Sequence, residues 1–184
     1  TPKSRTSLNF RNAVLTLAGD HPFARALVNS GRLSVPSFLT GSRLNTPDDA
    51  AFAGDMMPGA PMDDAPMQED GTDFWLLDRV GDRFMALVHV EDPAAVDAGL
   101  AREFRALADA PIPIEAVLVA AKPGRAPEGL RVFLDYRESF AERYDSKPGT
   151  VYLIRPDQHV AARWRAFDAS RVEAALARAT CNNH

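Results

Sequence analysis

The feature that most constrains the fold is a pair of apolar runs separated by an amphipathic stretch. Residues 83–90 read as a buried strand, and residues 114–120 are almost continuously apolar, as expected of a strand covered on both faces. Asp92 and Pro93 suit the cap and the first turn of a helix between these strands. The apolar side chains of that helix recur on one side, at Val96, Leu100, Phe104 and Leu107. The pattern predicts a βαβ unit.

A second unit of two strands and a helix is predicted further along the chain. Residues 150–154 and 160–165 form a β-hairpin in this interpretation, because Pro156 suits the second position of the tight turn between them. Asp168 is the expected cap of a last helix. The apolar face of this helix holds Val172, Ala175, Leu176 and Ala179. A short strand and a helical turn are predicted before the hairpin, at residues 130–134 and 138–144.

The N-terminal region predicts a short helical hairpin. Phe10, Val14 and Leu17 lie on one face of a first helix, and a second helix is expected between Pro22 and Gly31. The apolar faces of this hairpin either pack on the following domain or meet a region that precedes this chain.

Composition changes at residue 36 and again near residue 72. Residues 36–72 are rich in Pro, Gly, Asp, Ala and Met, and prolines at this density disfavour helix, so a long extended connector is predicted. A stretch of this kind is a linker or a segment laid over a surface. We therefore expect a helical lead-in at residues 1–35, a connector at 36–72 and an α/β domain at 73–184.

Charge and hydropathy exclude several classes of partner. The formal net charge is −4, so the basic footprint of a nucleic-acid-binding protein is missing. No apolar run approaches the about 20 residues that cross a bilayer, and the first thirty residues lack the regions of a signal peptide. We expect a cytoplasmic protein with no nucleic acid or membrane partner.

Reactive side chains are scattered through the sequence without a motif. Cys181 is the one cysteine and stands in a polar tail, so no CxxC pair, disulfide or thiolate cluster can form within the chain. The four histidines have no carboxylate or nucleophile at a motif spacing, although the members of a triad need not be close in sequence. These histidines are His21, His89, His159 and His184.

The charged clusters favour structural roles. The pairs Asp48-Asp49 and Asp63-Asp64 lack the further ligands of a calcium loop and are expected to be solvated charge. In Arg163-Trp164-Arg165 an alternating strand would place Trp164 towards the core or a neighbouring domain and both arginines towards water. We predict no catalytic, cofactor-binding or metal-binding residue in this chain.

The order βαβ followed by ββα resembles the thioredoxin-like fold, a mixed sheet flanked by helices. In that family a cis-proline precedes the third core strand, and Pro148 stands in this place. Thioredoxins carry their CxxC where the first core strand meets its helix, but here that junction reads His89-Val90-Glu91-Asp92-Pro93-Ala94. The acids at the junction would raise the pKa of any nearby thiol. The resemblance thus implies a fold without thiol chemistry, which disfavours a peroxiredoxin-like peroxidase.

A second resemblance, to the C-terminal region of FAD-dependent aromatic monooxygenases, covers nearly the whole chain. That family includes phenol, hydroxyphenylpropionate and polyketide hydroxylases. The similar segments occur in the same order as in the family, at residues 31–36 (Gly-Arg-Leu-Ser-Val-Pro), 44–48 (Leu-Asn-Thr-Pro-Asp), 58–66, 75–78 (Trp-Leu-Leu-Asp) and 152–164.

This second resemblance implies a parent protein that hydroxylates a phenolic or related ring with FAD and NAD(P)H. Its N-terminal FAD and substrate domains would be the partners of this chain, and a homodimer is a further possibility. The chain has no GxGxxG fingerprint, and Gly19-Asp20-His21 is read as a turn between helices, so no cofactor is expected in this chain. Alone it would be a noncatalytic domain with a structural and dimerisation role. The alternative is a free-standing, redox-inactive thioredoxin-like binding module.

Overall fold

The computed structural model describes residues 4–21 and 37–182, and the chain divides into two compact units, Thr1–Pro36 and Ser37–His184. The first unit contains helix α1, Arg5–Asp20. Phe10 on α1 is 72% exposed and Leu17 is 43% exposed, so this helix presents apolar side chains to solvent. The second helix of the predicted hairpin, at residues 22–31, lies outside the described residues.

The second unit is built on a mixed sheet of seven strands in the spatial order β2-β1-β5-β4-β3-β6-β7. Strands β3, β4 and β5 run parallel to one another, and the remaining neighbouring pairs are antiparallel. The strands are β1 (Pro66–Glu69), β2 (Thr72–Trp75), β3 (Phe84–Val90), β4 (Ile114–Ala120), β5 (Arg131–Leu134), β6 (Val151–Ile154) and β7 (Val160–Trp164).

The α-helices of this unit are α2 (Ala98–Ala106), α3 (Ser139–Arg143) and α4 (Ala169–Ala179), together with 3-10 turns at Leu76–Asp78, Pro93–Ala95 and Leu107–Asp109. The chain passes from β3 through α2 to the parallel β4, so the predicted βαβ unit is confirmed. The predicted hairpin is confirmed as β6 and β7, which α4 follows. The thioredoxin-like fold class is therefore correct. No described helix is long and apolar enough to cross a membrane.

Helix α2 begins five residues later than Asp92 and Pro93 predict. The Asp92 carboxylate accepts a hydrogen bond from the Ala94 N–H and caps only the short 3-10 turn. Val96 then returns to an extended conformation, with φ −69° and ψ 114°. Asp97 supplies a second cap, accepting a hydrogen bond from the Leu100 N–H at 2.9 Å, and the α-helix starts there. The predicted start at Asp92 and Pro93 is therefore wrong for the α-helix, because the Asp92 cap is followed by a single 3-10 turn.

Both faces of the sheet are covered, as the continuous apolar character of β4 requires. On one face, Phe104 of α2 and Val172 of α4 pack against the buried side chains that β3 and β4 present there. On the opposite face Phe140, Tyr144 and Tyr152 form an aromatic cluster. This cluster lies in the same core as Met56, Met62 and Met67. The sheet therefore separates two apolar cores.

The predicted connector differs from the structure in extent and in packing. Residues 66–72 contain β1 and the start of β2, so the sheet begins before the expected boundary at residue 73. Residues 37–65, which we name the strap, lie along β7: the Gly59 N–H donates to Val160 O at 2.7 Å, and the Thr46 N–H donates to Ala161 O at 2.9 Å. Ala60 and Ala65 are fully buried. The strap therefore belongs to the folded unit that contains the sheet.

The two proline turns of the second half behave differently from one another. Pro156 occupies the second position of its turn, which the hydrogen bond from Gln158 N–H to Arg155 O closes at 3.0 Å, as predicted. Pro148 stands before β6, but no peptide bond among the described residues is cis. The turn closes from Thr150 N–H to Lys147 O at 2.8 Å, with Gly149 at φ +98°. A turn with glycine at the positive φ position accommodates a trans proline directly, so the cis-proline resemblance is wrong.

Candidate functional site

The junction between β3 and α2 is the place where a thioredoxin-like fold would carry its reactive thiol. Here the Asp92 carboxylate accepts the Ala94 N–H at 2.8 Å and occupies the first turn. Glu91 beside it pairs with Lys122 at 2.6 Å, on the surface. The one cysteine of the sequence, Cys181, is exposed and follows α4. The junction therefore offers carboxylates where thiol chemistry would need a sulfur.

The loop after β4 closes over this junction. A Cβ atom added to Gly124 would lie 2.9 Å from Asp92 Oδ1 and 3.0 Å from Pro93 Cγ. Contacts below 3.0 Å require something to shift, so only glycine fits this approach without rearrangement. The loop thus packs directly on the turn that Asp92 caps.

Each α-helix of the second unit carries an aspartate at its N-terminus. Asp97 caps α2, and Asp168 caps α4 by accepting from the Ser170 and Arg171 N–H groups. Asp135 accepts from the Phe140 and Ala141 N–H groups at 3.2 and 2.9 Å at the start of α3.

A phosphate would need those same N–H groups and would be repelled by the carboxylates that hold them. FAD binds through its pyrophosphate in dinucleotide-binding folds. The N-termini of these three helices therefore do not fit FAD, and we derive no chemical step through it.

His89 is buried on the face of β3 opposite α2. Its Nδ1 lies 2.9 Å from Ser146 Oγ, and its ring meets the Phe140 ring edge-on at 6.4 Å between centroids. Burial lowers the pKa of His89, while the nearby charges of Asp135 and Glu91 oppose that shift. A neutral imidazole that is 3% exposed suits a structural role in this core.

The residues around His89 do not form a Ser-His-Asp triad. The Asp135 carboxylate is only 2% exposed, and its two oxygens receive backbone N–H groups at the start of α3. A triad carboxylate has to accept from the imidazole and orient it. Ser146 is 5% exposed, which also leaves little room for a substrate.

The other histidines lie apart from this core. His159 lies in the hairpin turn, with Nδ1 2.9 Å from Asp157 O and Nε2 3.1 Å from Ser37 O. His21 is exposed after α1, and His184 lies outside the described residues. Within the second unit, His89 and His159 share no hydrogen-bond partner.

Trp164 is 4% exposed in the core, as predicted, but its neighbours do not face water as expected. Arg163 is itself 4% exposed and holds the Asp48 carboxylate through Nε and Nη2 at 3.0 and 2.7 Å. Arg165 donates to Ala51 O and to Asp145. The ring of Phe52 meets both arginines, with their Cζ atoms 4.3 and 3.6 Å from its centroid. The arginines hold the strap, which a strand pattern alone does not reveal.

Most carboxylates of the acidic pairs have partners, and the expectation of solvated charge is wrong for Asp48 and Asp64, whereas Asp49 remains about half exposed. Asp48 pairs with Arg163, and Asp49 pairs with Arg171 at 2.6 Å. Asp64 Oδ1 accepts from the Leu77 N–H at 3.1 Å, whereas Asp63 is exposed and contributes its peptide carbonyl to Tyr144 OH at 2.6 Å. Within residues 4–21 and 37–182 no three His, Cys, Asp or Glu side chains are grouped as a metal site.

A charged network that the sequence did not signal lies at the other end of the parallel strands. Arg131 binds Glu69 through two nitrogens at 2.8 and 3.0 Å and Glu115 at 2.9 Å. Arg83 approaches the same Glu115 at 3.5 Å. Arg83, Glu115 and Arg131 border a polar cavity of about 590 Å³. The hydrogen bonds that Arg131 donates to Glu69 and Glu115 raise the pKa of Arg131. The two carboxylates of the network balance its two guanidinium charges.

A different cavity, of about 470 Å³, lies above the β3–α2 junction. We name it the junction cavity. It is bounded by the last residues of β3, by α2 and the turn before it, by Pro148 and Gly149, and by Ala166 and Phe167 after β7. Its walls are largely apolar, and the charged side chains among its lining residues are Glu91 and Asp92.

Comparison with known proteins supports the fold. No protein-family model matches this chain, and the search of curated proteins likewise returns no match. Among solved structures, the flavin-dependent monooxygenase PieE, in complex with FAD and substrate, is 21% identical over 74% of this chain and 24% of its own, with a TM-score of 0.55. Aklavinone-11 hydroxylase, in a ternary complex with FAD and aklavinone, is 21% identical over 75% of this chain and 25% of its own, with a TM-score of 0.56.

A thiol peroxidase from Chromobacterium violaceum is 15% identical over 70% of this chain and 91% of its own, with a TM-score of 0.55. At these identities the likeness establishes a thioredoxin-like fold and nothing finer. This chain spans about a quarter of the length of the two monooxygenase chains.

Proposed function

We propose that this chain is the noncatalytic, thioredoxin-like C-terminal part of an FAD-dependent aromatic monooxygenase, with a structural and dimerisation role. The observation that carries the proposal is the β3–α2 junction, where Asp92 fills the turn and Gly124 packs against it. A fold that retains its sheet and helices but has carboxylates in place of the reactive thiol suits a supporting part of a larger enzyme.

The likeness to two flavin-dependent monooxygenases supports the same proposal. In both, the matched region is about a quarter of the chain, as expected of one part of a larger enzyme. In this proposal FAD and NAD(P)H are held by N-terminal FAD and substrate domains of the same polypeptide. The chemistry of ring hydroxylation belongs to the flavin, and the other domains supply binding and orientation.

Two measurements test this proposal. The purified chain is scanned for flavin absorbance and for NADPH oxidation with phenolic substrates, and we expect neither. The reading frame is then followed upstream, where we expect a GxGxxG fingerprint that opens a βαβ unit. Stoichiometric FAD with turnover in this chain, or a reading frame that starts at this chain, would overturn the proposal.

The dimerisation role has its own test. Sedimentation velocity of the full-length protein, with and without residues 37–184, measures whether this part holds two subunits together. We expect the truncated protein to sediment as a monomer while still binding FAD. An unchanged dimer would remove dimerisation from the proposed role and leave the structural one.

A redox-inactive thioredoxin-like binding module is the second candidate. The match to the thiol peroxidase, which covers 91% of that protein, favours this reading, because there the fold makes up almost a whole chain. A reading frame confined to this chain supports it, and an upstream FAD domain rejects it.

A further inference from the structure

The junction cavity has the size of a small-molecule site. Its volume of about 470 Å³ lies within the range of roughly 300–1,000 Å³ that is typical of ligand pockets. It stands at the carboxyl end of β3, where open α/β sheets place their ligands. Neither the candidate chemistry nor the proposed function uses this cavity.

Its walls fit a compact apolar group. Phe104 and Phe167 meet edge-to-face, with their ring centroids 4.6 Å apart. Val96 and Leu100 extend this wall along α2 and the residues before it, and Pro148 lies on the opposite side. A planar or branched hydrocarbon group can fill such a space, and burying it gains roughly 25 cal/mol per Å² of apolar surface.

The polar part of the cavity has one sign of charge. Glu91 and Asp92 are its charged lining residues, and both are acidic. The Glu91–Lys122 pair is exposed, at 55% and 64% of the side chains, so it holds the Glu91 carboxylate weakly. One oxygen of the Asp92 carboxylate accepts the Ala94 N–H, and the carboxylate has further lone pairs that can accept hydrogen bonds. Lys122 offsets the charge of Glu91, so the Asp92 carboxylate leaves one negative charge beside the cavity, which favours a cation over an anion.

We propose that the junction cavity binds an organic amine, with an apolar group of about ring size against Leu100 and Phe167 and a protonated nitrogen at Glu91 and Asp92. The source we infer is a free small molecule, because a volume of about 470 Å³ is typical of small-ligand pockets. This inference stands apart from the proposed function and holds for either of the two candidate proteins.

The experiment compares three probes of similar size that differ in charge. The full chain, labelled with ¹⁵N, is titrated at pH 7 with 2-phenylethylamine, 2-phenylethanol and 3-phenylpropionate, and the amide shifts are followed by NMR. We expect saturable shifts at Val96, Leu100 and Phe167, with the amine binding several-fold more tightly than the alcohol and the carboxylate binding weakest. Equal binding of the three probes, or shifts centred elsewhere, overturns the proposal.

Two variants separate the apolar and the charged contributions. Ala95→Trp adds a large side chain at a lining residue and should abolish binding, whereas the control Ala98→Trp, at an exposed residue outside the lining, should retain it. Glu91→Gln should weaken the amine by about two- to five-fold and leave the alcohol unchanged. If Ala95→Trp fails to fold, Glu91→Gln alone decides: an unchanged preference for the amine contradicts the proposal.

Discussion

Arg163 of β7 holds the carboxylate of Asp48 in the strap with two nitrogens, across a separation of 115 residues in the sequence. Arg163 is 4% exposed as a side chain and Asp48 is 28% exposed. The planar guanidinium matches the carboxylate in a fork geometry that a lysine ammonium cannot reproduce. This pair fastens an irregular segment to the edge of the sheet.

Removing the Asp48 charge should destabilise the protein, because it leaves a buried guanidinium without its counter-ion. We expect Asp48→Asn to lower the free energy of unfolding by about 2–4 kcal/mol. This loss is smaller than for a fully buried ion pair, because Asp48 is partly exposed. Urea denaturation measures the change. The matched control is Asp49→Asn, whose partner Arg171 is half exposed, and we expect a loss of about 0–1 kcal/mol there. Equal losses would show that burial of the pair is unimportant.

Gly59 should tolerate no side chain. It has φ +93°, and an added Cβ would lie 2.5 Å from the backbone carbonyl of Leu39. Gly59→Ala should therefore cost about 1–2 kcal/mol for the left-handed backbone and about 1–3 kcal/mol more for the steric conflict. Gly71→Ala is the control, because Gly71 has φ +78° and open space around it, so only the backbone cost applies. Thermal unfolding of both variants at one pH distinguishes the two contributions.

His89 should make stability fall on mild acidification. Burial lowers the pKa of His89 in the folded state, so below its ordinary value of about 6.5 the unfolded chain binds a proton that the folded protein resists. The contribution of neutral His89 to the free energy of unfolding is fully present above the pKa of the unfolded state. It is lost as the pH falls through that pKa towards the lower pKa of the folded state, at up to about 1.4 kcal/mol per pH unit. Chemical denaturation between pH 7.5 and 5 measures this slope.

His89→Gln should flatten the same slope, because glutamine does not titrate. The carboxylates of Asp145 and Asp168 have lowered pKa values, owing chiefly to a backbone N–H from Ala53 and to the Ser170 hydroxyl, respectively. Their contribution is lost only as pH falls below their ordinary value of about 3.9, outside this window. A slope that persists in His89→Gln would assign the effect to another group.

Thiol chemistry should be absent. We expect the protein to consume no hydrogen peroxide and to reduce no insulin disulfide beyond the background of a free thiol. Cys181 is exposed, so Cys181→Ser should leave the midpoint of thermal unfolding within about 1 °C, as for surface substitutions generally. Peroxide turnover that disappears in Cys181→Ser would contradict the noncatalytic assignment.

Elements whose signals are local could be predicted from the amino-acid sequence. The apolar run of β4, the helical spacing after Asp168 and the turn at Pro156 each depend on neighbours a few residues away, and each was correctly predicted. Local signals compete, however, where two capping residues stand close together. The predicted cap, Asp92, holds only a 3-10 turn, and α2 begins after the Asp97 cap five residues later.

The packing of the strap on the sheet and the partners of the charged side chains are visible only in the folded protein. Its prolines and aspartates have no periodicity, so a linker and a surface-bound segment looked alike in the sequence. The bonds that settle this question join Asp48 to Arg163 and Gly59 to Val160, across about a hundred residues or more. These partners are set by the tertiary fold. A charge or an N–H group can be buried only where folding places a complementary group beside it, because an unpaired buried polar group costs free energy.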